Sequence, residues 1–147
     1  AASNRDGIVE FNAVFENSVN VGISSMLDRE EEWPSYGVTG FDKITVPCKR
    51  MDTFMKETGL SEIDVLKIDV EGNSYEVLTG FGEKLKSVKT IHLENEHVTV
   101  WKNQKLYRDC EEKKKKNGFI MVHIKIGWPQ SDSVWIRSDL IKKNWWL

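Results

Sequence analysis

Apolar residues recur along this chain with two different periods, which predict where strands and helices lie. Residues 7–15 follow an Asp-Gly turn signal and are mostly apolar, so they predict a strand. Residues 43–47 predict a second, shorter strand, and Met51 to Thr58 predict a helix that ends at Gly59. The segment from residue 16 to residue 40 has no clean period. A long irregular segment is therefore expected there, and such segments are often functional.

The most informative segment is Ile63 to Gly72, whose sequence is IDVLKIDVEG. Its nearly continuous apolar run is typical of a strand that is buried on both faces of a parallel sheet. Residues 73–85 then carry apolar side chains at helical spacing, which predicts a helix. Lys89 to Glu94 predict the next strand, so this part of the chain forms a strand–helix–strand unit.

The remainder of the chain predicts one polar helix and two strands. The helix spans Lys102 to Lys116 and ends at Gly118, and its lysine run, residues 113–116, is expected in solvent near the negative end of the helix dipole. Phe119 to Ile126 and Ser133 to Leu140 predict strands joined by a turn too short for a parallel crossover, so they should form an antiparallel hairpin. The whole pattern predicts an α/β fold whose mostly parallel sheet ends in that hairpin.

Composition and charge narrow the function classes. The chain has 147 residues, which suits one domain, and its 21 basic and 23 acidic residues give a net charge of −2. This balance offers no concentrated positive field for nucleic acid or for an anionic membrane surface. No apolar run approaches the roughly 20 residues that span a bilayer, and the N-terminal residues lack the features of a signal peptide. A cytoplasmic location is the default expectation.

Cysteine and histidine form no metal-binding motif in this sequence. The chain has two cysteines, Cys48 and Cys110, and this low count excludes a disulfide framework. They are far apart and form no CxxC motif or Cys/His cluster, which argues against structural zinc. His92, His97 and His123 lack the spacing of metal ligands. We therefore expect two free, partly buried thiols and no metal held by these residue types.

Charged residues at the ends of two predicted strands are the candidates for chemistry. In open α/β sheets, ligands bind outside the carboxyl ends of the strands. That rule selects Asp69, Glu71 and Gly72 after one strand, and Glu94, Asn95 and His97 after the next. Lys67, Asp69 and Glu71 alternate and so point to the same side of their strand. Burying them is costly unless they pair or meet a ligand.

Each of these residues also has a structural interpretation. Lys67 and Asp69 could form an ion pair while Glu71 begins the following helix. The two carboxylates could instead hold a hard cation such as Mg²⁺. Glu94 is either a hydrogen-bonded structural carboxylate or a catalytic one, and His97 is either a general base or a solvated loop histidine.

Short motifs follow one another in a fixed order along the chain. They are Met51-Asp52-Thr53-Phe54, the strand DVLKIDVEG from Asp64 to Gly72, the helix YEVLTG from Tyr75 to Gly80, and the strand IHLE from Ile91 to Glu94. Further motifs lie at Ala2 to Gly7, at Gly22 to Leu27 (GISSML) and at Val134 to Arg137. Together they resemble the FkbM family of S-adenosylmethionine-dependent methyltransferases, and the resemblance covers nearly the whole chain.

The resemblance implies a Rossmann-like methyltransferase fold with a three-layer sheet, and S-adenosylmethionine as cofactor. In this family a glycine-rich turn is the main holder of the methyl donor, and the chain has no D-x-G-x-x-x-G segment. Its Gly80-Phe81-Gly82 follows a helix, which is the wrong context for such a turn. Residues 1–147 are therefore expected to be one domain, the C-terminal part of such an enzyme, with its first three strands missing.

The resemblance also implies roles for individual residues. The catalytic residues would be Asp69, Glu71, Lys67 and Glu94, with Asp69 orienting or deprotonating an acceptor hydroxyl group. The cofactor would contact Asp69, Ala2 and Ser3, and the acceptor would contact Ser24, Ser25 and His97. The expected partner is a small-molecule or sugar acceptor that is methylated on oxygen.

Two other functions remain open at the level of the sequence. A non-catalytic interaction domain would leave an edge strand exposed, which predicts a homo-oligomer or a dedicated partner chain. The apolar tail, residues 142–147, would then be a candidate contact with the domain or with that partner. A Mg²⁺-dependent hydrolase would use Asp69 and Glu71 as metal ligands.

Overall fold

The computed structural model of the chain describes residues 1–20, 22–32 and 37–141. The strands in these ranges are β1 (Ala2–Ser3), β2 (Gly7–Val14), β3 (Phe41–Arg50), β4 (Ile63–Ile68), β5 (Val88–Glu96), β6 (Phe119–Ile126) and β7 (Gln130–Arg137). The α-helices are α1 (Met51–Thr58), α2 (Ser74–Gly80) and α3 (Tyr107–Lys116), and 3₁₀ helices cover Gly82–Ser87 and Ser138–Leu140. The predicted docking of the apolar tail concerns residues 142–147, which lie outside the described residues.

The strands form two sheets in which most neighbours are antiparallel, so the prediction of a mostly parallel sheet is wrong. One sheet has the order β1-β3-β2 and the other has the order β4-β5-β7-β6. Parallel neighbours need a crossover, which α2 provides between β4 and β5. Strand β7 lies between β5 and β6 and is antiparallel to both, which confirms the predicted hairpin. The mixed α/β fold is thus confirmed, and the three-layer Rossmann-like arrangement stays a prediction.

Strand β4 is not buried on both faces, contrary to the prediction from its apolar run. It is the outer strand of its sheet, it pairs with β5, and its Val65 side chain is 67% exposed. The strand ends at Ile68, so Asp69 to Gly72 belong to the turn that leads into α2. An apolar run shows that a segment is a strand, but it does not show how many strands flank it.

Several element bounds differ from the prediction for local reasons. Helix α1 and strand β6 have the predicted bounds, and Gly59 ends α1 with a left-handed φ of 70°. Helix α3 begins at Tyr107 rather than Lys102, because a carboxylate oxygen of Asp109 accepts a hydrogen bond from the Leu106 N–H and caps the first turn. The helix expected over residues 73–85 is divided into α2 and the first 3₁₀ helix.

Strand β7 begins at Gln130 rather than Ser133, and it ends at Arg137 rather than Leu140. Residues 130–132 continue its pairing with the end of β5, where Gln130 lies opposite Glu96. The polar character of these three positions concealed their strand conformation. This extension places Asp132 beside the end of β5.

The buried core joins β5 and β7 to all three helices. Its members include Ile91 and Leu93 of β5, Trp135 of β7, Met55 of α1, Val77 and Leu78 of α2, and Cys110 of α3. Both cysteines are free and buried. No helix in the described ranges is both long enough and apolar enough to cross a membrane.

The lysine run of α3 is not wholly in solvent, and the prediction is wrong for Lys114. This side chain is fully buried, with its Nζ atom 4.3 Å from the centre of the Trp135 ring and 3.4 Å from Asn95 Oδ1. Helical spacing turns Lys114 toward the same side as Cys110, four residues earlier, and therefore toward the core. A buried charge at this position has consequences for stability.

Candidate active site

Three carboxylates meet at the carboxyl end of the parallel pair β4–β5. Asp69 and Glu71 lie in the turn after β4, and Glu94 lies near the end of β5. One oxygen from each carboxylate lies within 4.8 Å of those of the other two. We call these residues the carboxylate cluster. They line a cleft of about 540 Å³ whose wall also includes Arg29 and Gln130.

The turn after β4 has a strained backbone that contacts from other segments hold in place. Glu71 has a φ of 48° and Gly72 a φ of 87°. This left-handed region costs a non-glycine residue about 1 to 2 kcal/mol. The Gly72 N–H donates a hydrogen bond of 2.9 Å to Glu96 Oε1, and the Ser25 hydroxyl donates one of 2.6 Å to the Glu71 carbonyl. The turn that carries Glu71 is therefore fixed on both sides of one peptide group.

Burial and mutual repulsion raise the pKa of three glutamates in this region, namely Glu71, Glu94 and Glu96. The pKa of Glu71 is raised to about 7, first by desolvation and then by the negative charges of Glu94 and Glu96. Desolvation likewise raises the pKa of Glu96 to about 7, and it raises the pKa of Glu94. A carboxylate whose pKa lies near neutrality is suited to general-base chemistry at physiological pH.

We expect a Glu71→Gln variant to be more stable than the wild type above neutral pH, but not in acid. Glu71 loses its proton at a higher pH in the folded state than in the unfolded chain, so its contribution to stability is lost as the pH rises from about 4.5 to about 7. Glutamine does not ionise. The free energy of unfolding of Glu71→Gln at about pH 8, measured in urea, should exceed that of the wild type by about 1 to 2 kcal/mol.

The matched control for this prediction is Glu112→Gln, at an exposed site on α3 where the carboxylate pairs with Lys116. That variant should show no gain in stability between acid and alkaline pH. Equal behaviour of the two variants at both pH values would contradict the assignment of the raised pKa to Glu71.

A second group of charges lies behind the carboxylate cluster. The interpretation of Lys67 and Asp69 as an ion pair agrees with the structure, in which Lys67 Nζ lies 3.4 Å from Asp69 Oδ2. The same ammonium group lies 3.3 Å from Asp132 Oδ1, and that oxygen lies 3.0 Å from His92 Nε2. Because Asp132 is paired with Glu94 across β5 and β7, the cluster borders this second group. Lys67 thus restrains Asp69 and offsets part of the negative charge.

The FkbM methyltransferase domain model matches residues 11–121, which is most of the chain and includes the whole carboxylate cluster. The chain belongs to the FkbM methyltransferase domain family. No curated protein and no solved structure matched the chain. The matched range contains the LKIDVEG segment and the end of β5, so the FkbM domain includes both strand ends that form the site.

The predicted acceptor residues of this FkbM domain lie in different environments. Gly22 and Ile23 line the cleft. The Ser24 hydroxyl instead accepts a hydrogen bond of 3.1 Å from the Val14 N–H, and Ser25 is fully buried. His97 Nε2 lies 2.9 Å from the Ser131 hydroxyl, and the imidazole lines a neighbouring cavity beside Tyr107. Ser24, Ser25 and His97 are therefore not among the residues that line the cleft.

The predicted cofactor residues Ala2 and Ser3 lie in β1, outside the range matched to the FkbM domain. Ser3 is 2% exposed, and the Ala2 carbonyl accepts a hydrogen bond of 3.2 Å from Asn73 Nδ2. Asn73 directly follows Gly72, so this contact links Ala2 and Ser3 to the end of the turn that carries Glu71. Their assignment to cofactor binding stays a prediction.

The carboxylate cluster also has the composition of a site for a hard cation, because each residue offers one oxygen to a common centre. Acidic groups often cluster in this way without a metal, and Lys67 already supplies a positive charge to Asp69. A hard cation at the carboxylate cluster therefore stays a hypothesis.

Two residues that shape the site, Glu96 and Asp132, were not predicted from the sequence. Ser25 was predicted to contact the acceptor, but its hydrogen bond to the Glu71 carbonyl was not predicted. Glu96 lies two residues after Glu94 and so shares its side of β5, which alternation would have indicated had the strand been extended beyond Glu94. Asp132 joins the site only through the register of β5 and β7. No local sequence signal connects Ser25 with Glu71.

Proposed function

We propose that this FkbM domain transfers a methyl group from S-adenosylmethionine to a hydroxyl group of a small molecule or sugar. The observation that carries the proposal is the carboxylate cluster at the edge of the sheet, where it faces a cleft of about 540 Å³. Ligands of α/β proteins bind at such strand ends, and small-molecule sites commonly have volumes of about 300 to 1,000 Å³. Membership of the FkbM family supports the reaction class.

The donor set in the cleft fits the positively charged part of S-adenosylmethionine. When bound, this cofactor supplies an electrophilic methyl group on a positively charged sulfur, which the carboxylates complement. Gly72 and Gly80 offer no cradle for the adenosine part, because other atoms already fill the space that a Cβ would occupy. A Cβ on Gly72 would lie 2.4 Å from Trp101 Cδ1, and one on Gly80 would lie 2.0 Å from the Ser3 carbonyl oxygen.

The roles of the carboxylates follow from their surroundings. Glu71 has a pKa of about 7, so it accepts the proton of the acceptor hydroxyl at neutral pH. Asp69 is held by Lys67 and orients the hydroxyl by accepting its hydrogen bond. Glu94 adds negative charge beside Glu71 and raises its basicity.

The charge of the cleft also indicates the class of acceptor. Three carboxylates and one guanidinium group, that of Arg29, contribute to its wall. An acidic wall repels phosphorylated or carboxylated molecules and admits neutral polyols. A neutral hydroxyl compound, such as an uncharged sugar, is therefore the acceptor that we propose.

Methyl transfer from labelled S-adenosylmethionine to a panel of neutral sugars and polyols tests the proposal. Glu71→Gln and Asp69→Asn should each lower the rate by about 100-fold or more, the usual effect of removing a group that moves or directs a proton. Asp64→Asn is the matched control, since Asp64 lies on β4, does not line the cleft and has an 82% exposed side chain. Unchanged rates in both cluster variants would remove their assigned roles. The absence of both methyl transfer and calorimetrically measured donor binding would contradict the proposed function.

A further inference from the structure

Glu71 joins the carboxylate cluster from a backbone position whose conformation is unfavourable for a non-glycine residue. With a φ of 48°, Glu71 is one of the described non-glycine residues with a positive φ. Such strain persists only where surrounding contacts over-determine the backbone. The contacts that hold Glu71 are therefore as important to the cluster as its own carboxylate.

Two side chains from distant segments bind the peptide group between Glu71 and Gly72. The Ser25 hydroxyl donates to its carbonyl oxygen at 2.6 Å, and Glu96 Oε1 accepts from its N–H at 2.9 Å. Ser25 is fully buried and Glu96 is 3% exposed, so water does not compete freely for either bond. A peptide group bound at both its polar atoms cannot rotate without breaking a hydrogen bond.

Ser25 is itself fixed, and its one hydroxyl proton is already used within the protein. Its backbone is bridged to Asn12 of β2 through two hydrogen bonds of 2.8 and 3.1 Å. Its hydroxyl oxygen also accepts a hydrogen bond of 3.0 Å from the Leu27 N–H. A serine hydroxyl has one proton to donate, and here the Glu71 carbonyl receives it.

We propose that Ser25 and Glu96 are positioning residues, which hold the Glu71–Gly72 peptide so that the Glu71 carboxylate faces Asp69 and Glu94. Both act through the backbone of the turn and neither touches the ligand. The inference deepens the proposed function and rests on it for the role of the cluster in methyl transfer. The geometry itself does not depend on that reaction.

The test is a titration of the Glu71 carboxyl group by NMR in the full chain with labelled glutamate. The signal is assigned by its loss in Glu71→Gln, and its midpoint in the wild type should lie at about 7. In Ser25→Ala the turn relaxes, the carboxylate leaves its buried position and its acidic neighbours, and the midpoint should fall toward the ordinary value of 4.5. Ser24→Ala is the matched control, because Ser24 binds the Val14 N–H and not the turn.

A wild-type midpoint in Ser25→Ala, or an equal fall in Ser24→Ala, would overturn the inference. If Ser25→Ala does not fold, Glu96 provides a second test through amide hydrogen exchange at Gly72. Glu96→Gln keeps an acceptor oxygen and should preserve slow exchange at this amide, whereas Glu96→Met should accelerate it at least tenfold. Equal protection in both variants would also overturn the inference.

These readouts need no methyl donor, so they separate this inference from the proposed function. A fallen midpoint in Ser25→Ala combined with no methyl transfer by the wild type would keep the positioning role and reject the reaction. If Ser25→Ala instead retains full methyl transfer and an unchanged midpoint, the reaction is kept and the positioning role of Ser25 is rejected.

Discussion

Replacing Gly72 with alanine should destabilise the protein by about 3 to 4 kcal/mol, the sum of a conformational and a packing cost. The φ of 87° at this position is unfavourable for any residue with a Cβ atom. The added methyl group would also lie 2.4 Å from Cδ1 and 2.7 Å from Cγ of Trp101. Trp101 is fully buried and has Arg29 over its ring, so the indole cannot move aside cheaply.

Urea unfolding of Gly72→Ala beside Gly59→Ala separates the two costs. Gly59 has a similar φ of 70°, but nothing lies within 4 Å of an added Cβ. Its alanine variant should therefore lose only the conformational part, about 1 to 2 kcal/mol. Equal losses in the two variants would show that Trp101 does not pack against Gly72.

Lys114→Met should make the protein more stable at neutral pH, and the gain should disappear in alkali. Burial lowers the pKa of Lys114 to about 8, and none of the described carboxylates forms a salt bridge with its ammonium group. Replacing a buried charge with a side chain of similar length removes the desolvation cost. We expect a gain of about 1 to 2 kcal/mol at pH 7, reduced by the loss of the hydrogen bond to Asn95.

The pH dependence of this gain follows from linkage. Between about pH 8 and about pH 10.5 the folded lysine is neutral while the unfolded chain still binds the proton, so rising pH stabilises the wild type. The difference between variant and wild type should therefore fall by up to about 3 kcal/mol over this range. Cys110, whose pKa burial raises to about 12, contributes to the pH dependence of both proteins in the opposite direction.

The matched control is Lys116→Met, because Lys116 belongs to the same run and its side chain is 72% exposed. Its stability relative to the wild type should not depend on pH in this way. A Lys114→Met variant that is less stable than the wild type at neutral pH, with no change toward alkali, would contradict a buried charged lysine.

Local signals made several elements predictable from the sequence. Helix α1 stops at Gly59 because a glycine accepts the left-handed conformation that ends a helix. Strand β6 and its hairpin with β7 follow from a dense apolar segment and a short turn. The pairing of β2 with β3 was not predictable, because residues 15–40 separate the two strands and no turn motif joins them.

The candidate site was predictable only in part, for a related reason. Asp69, Glu71 and Glu94 stand at the ends of strands, and topology alone brings strand ends together.

Lys114 was misassigned because a run of like charges favours solvent on average, whereas its position on α3 decides its burial.

The hydrogen bonds and ion pairs of the site join residues that are far apart in sequence. Ser25 lies 46 residues from Glu71, Gly72 lies 24 from Glu96, and Lys67 lies 65 from Asp132. Closing loops of this length is slow compared with forming local helices. Because Asp132 lies 65 residues after Lys67, the LKIDVEG segment is synthesised before Asp132 is available to pair with Lys67. In the nascent chain Glu71 is hydrated, and its carboxyl group becomes a weaker acid only when folding buries it beside Glu94 and Glu96.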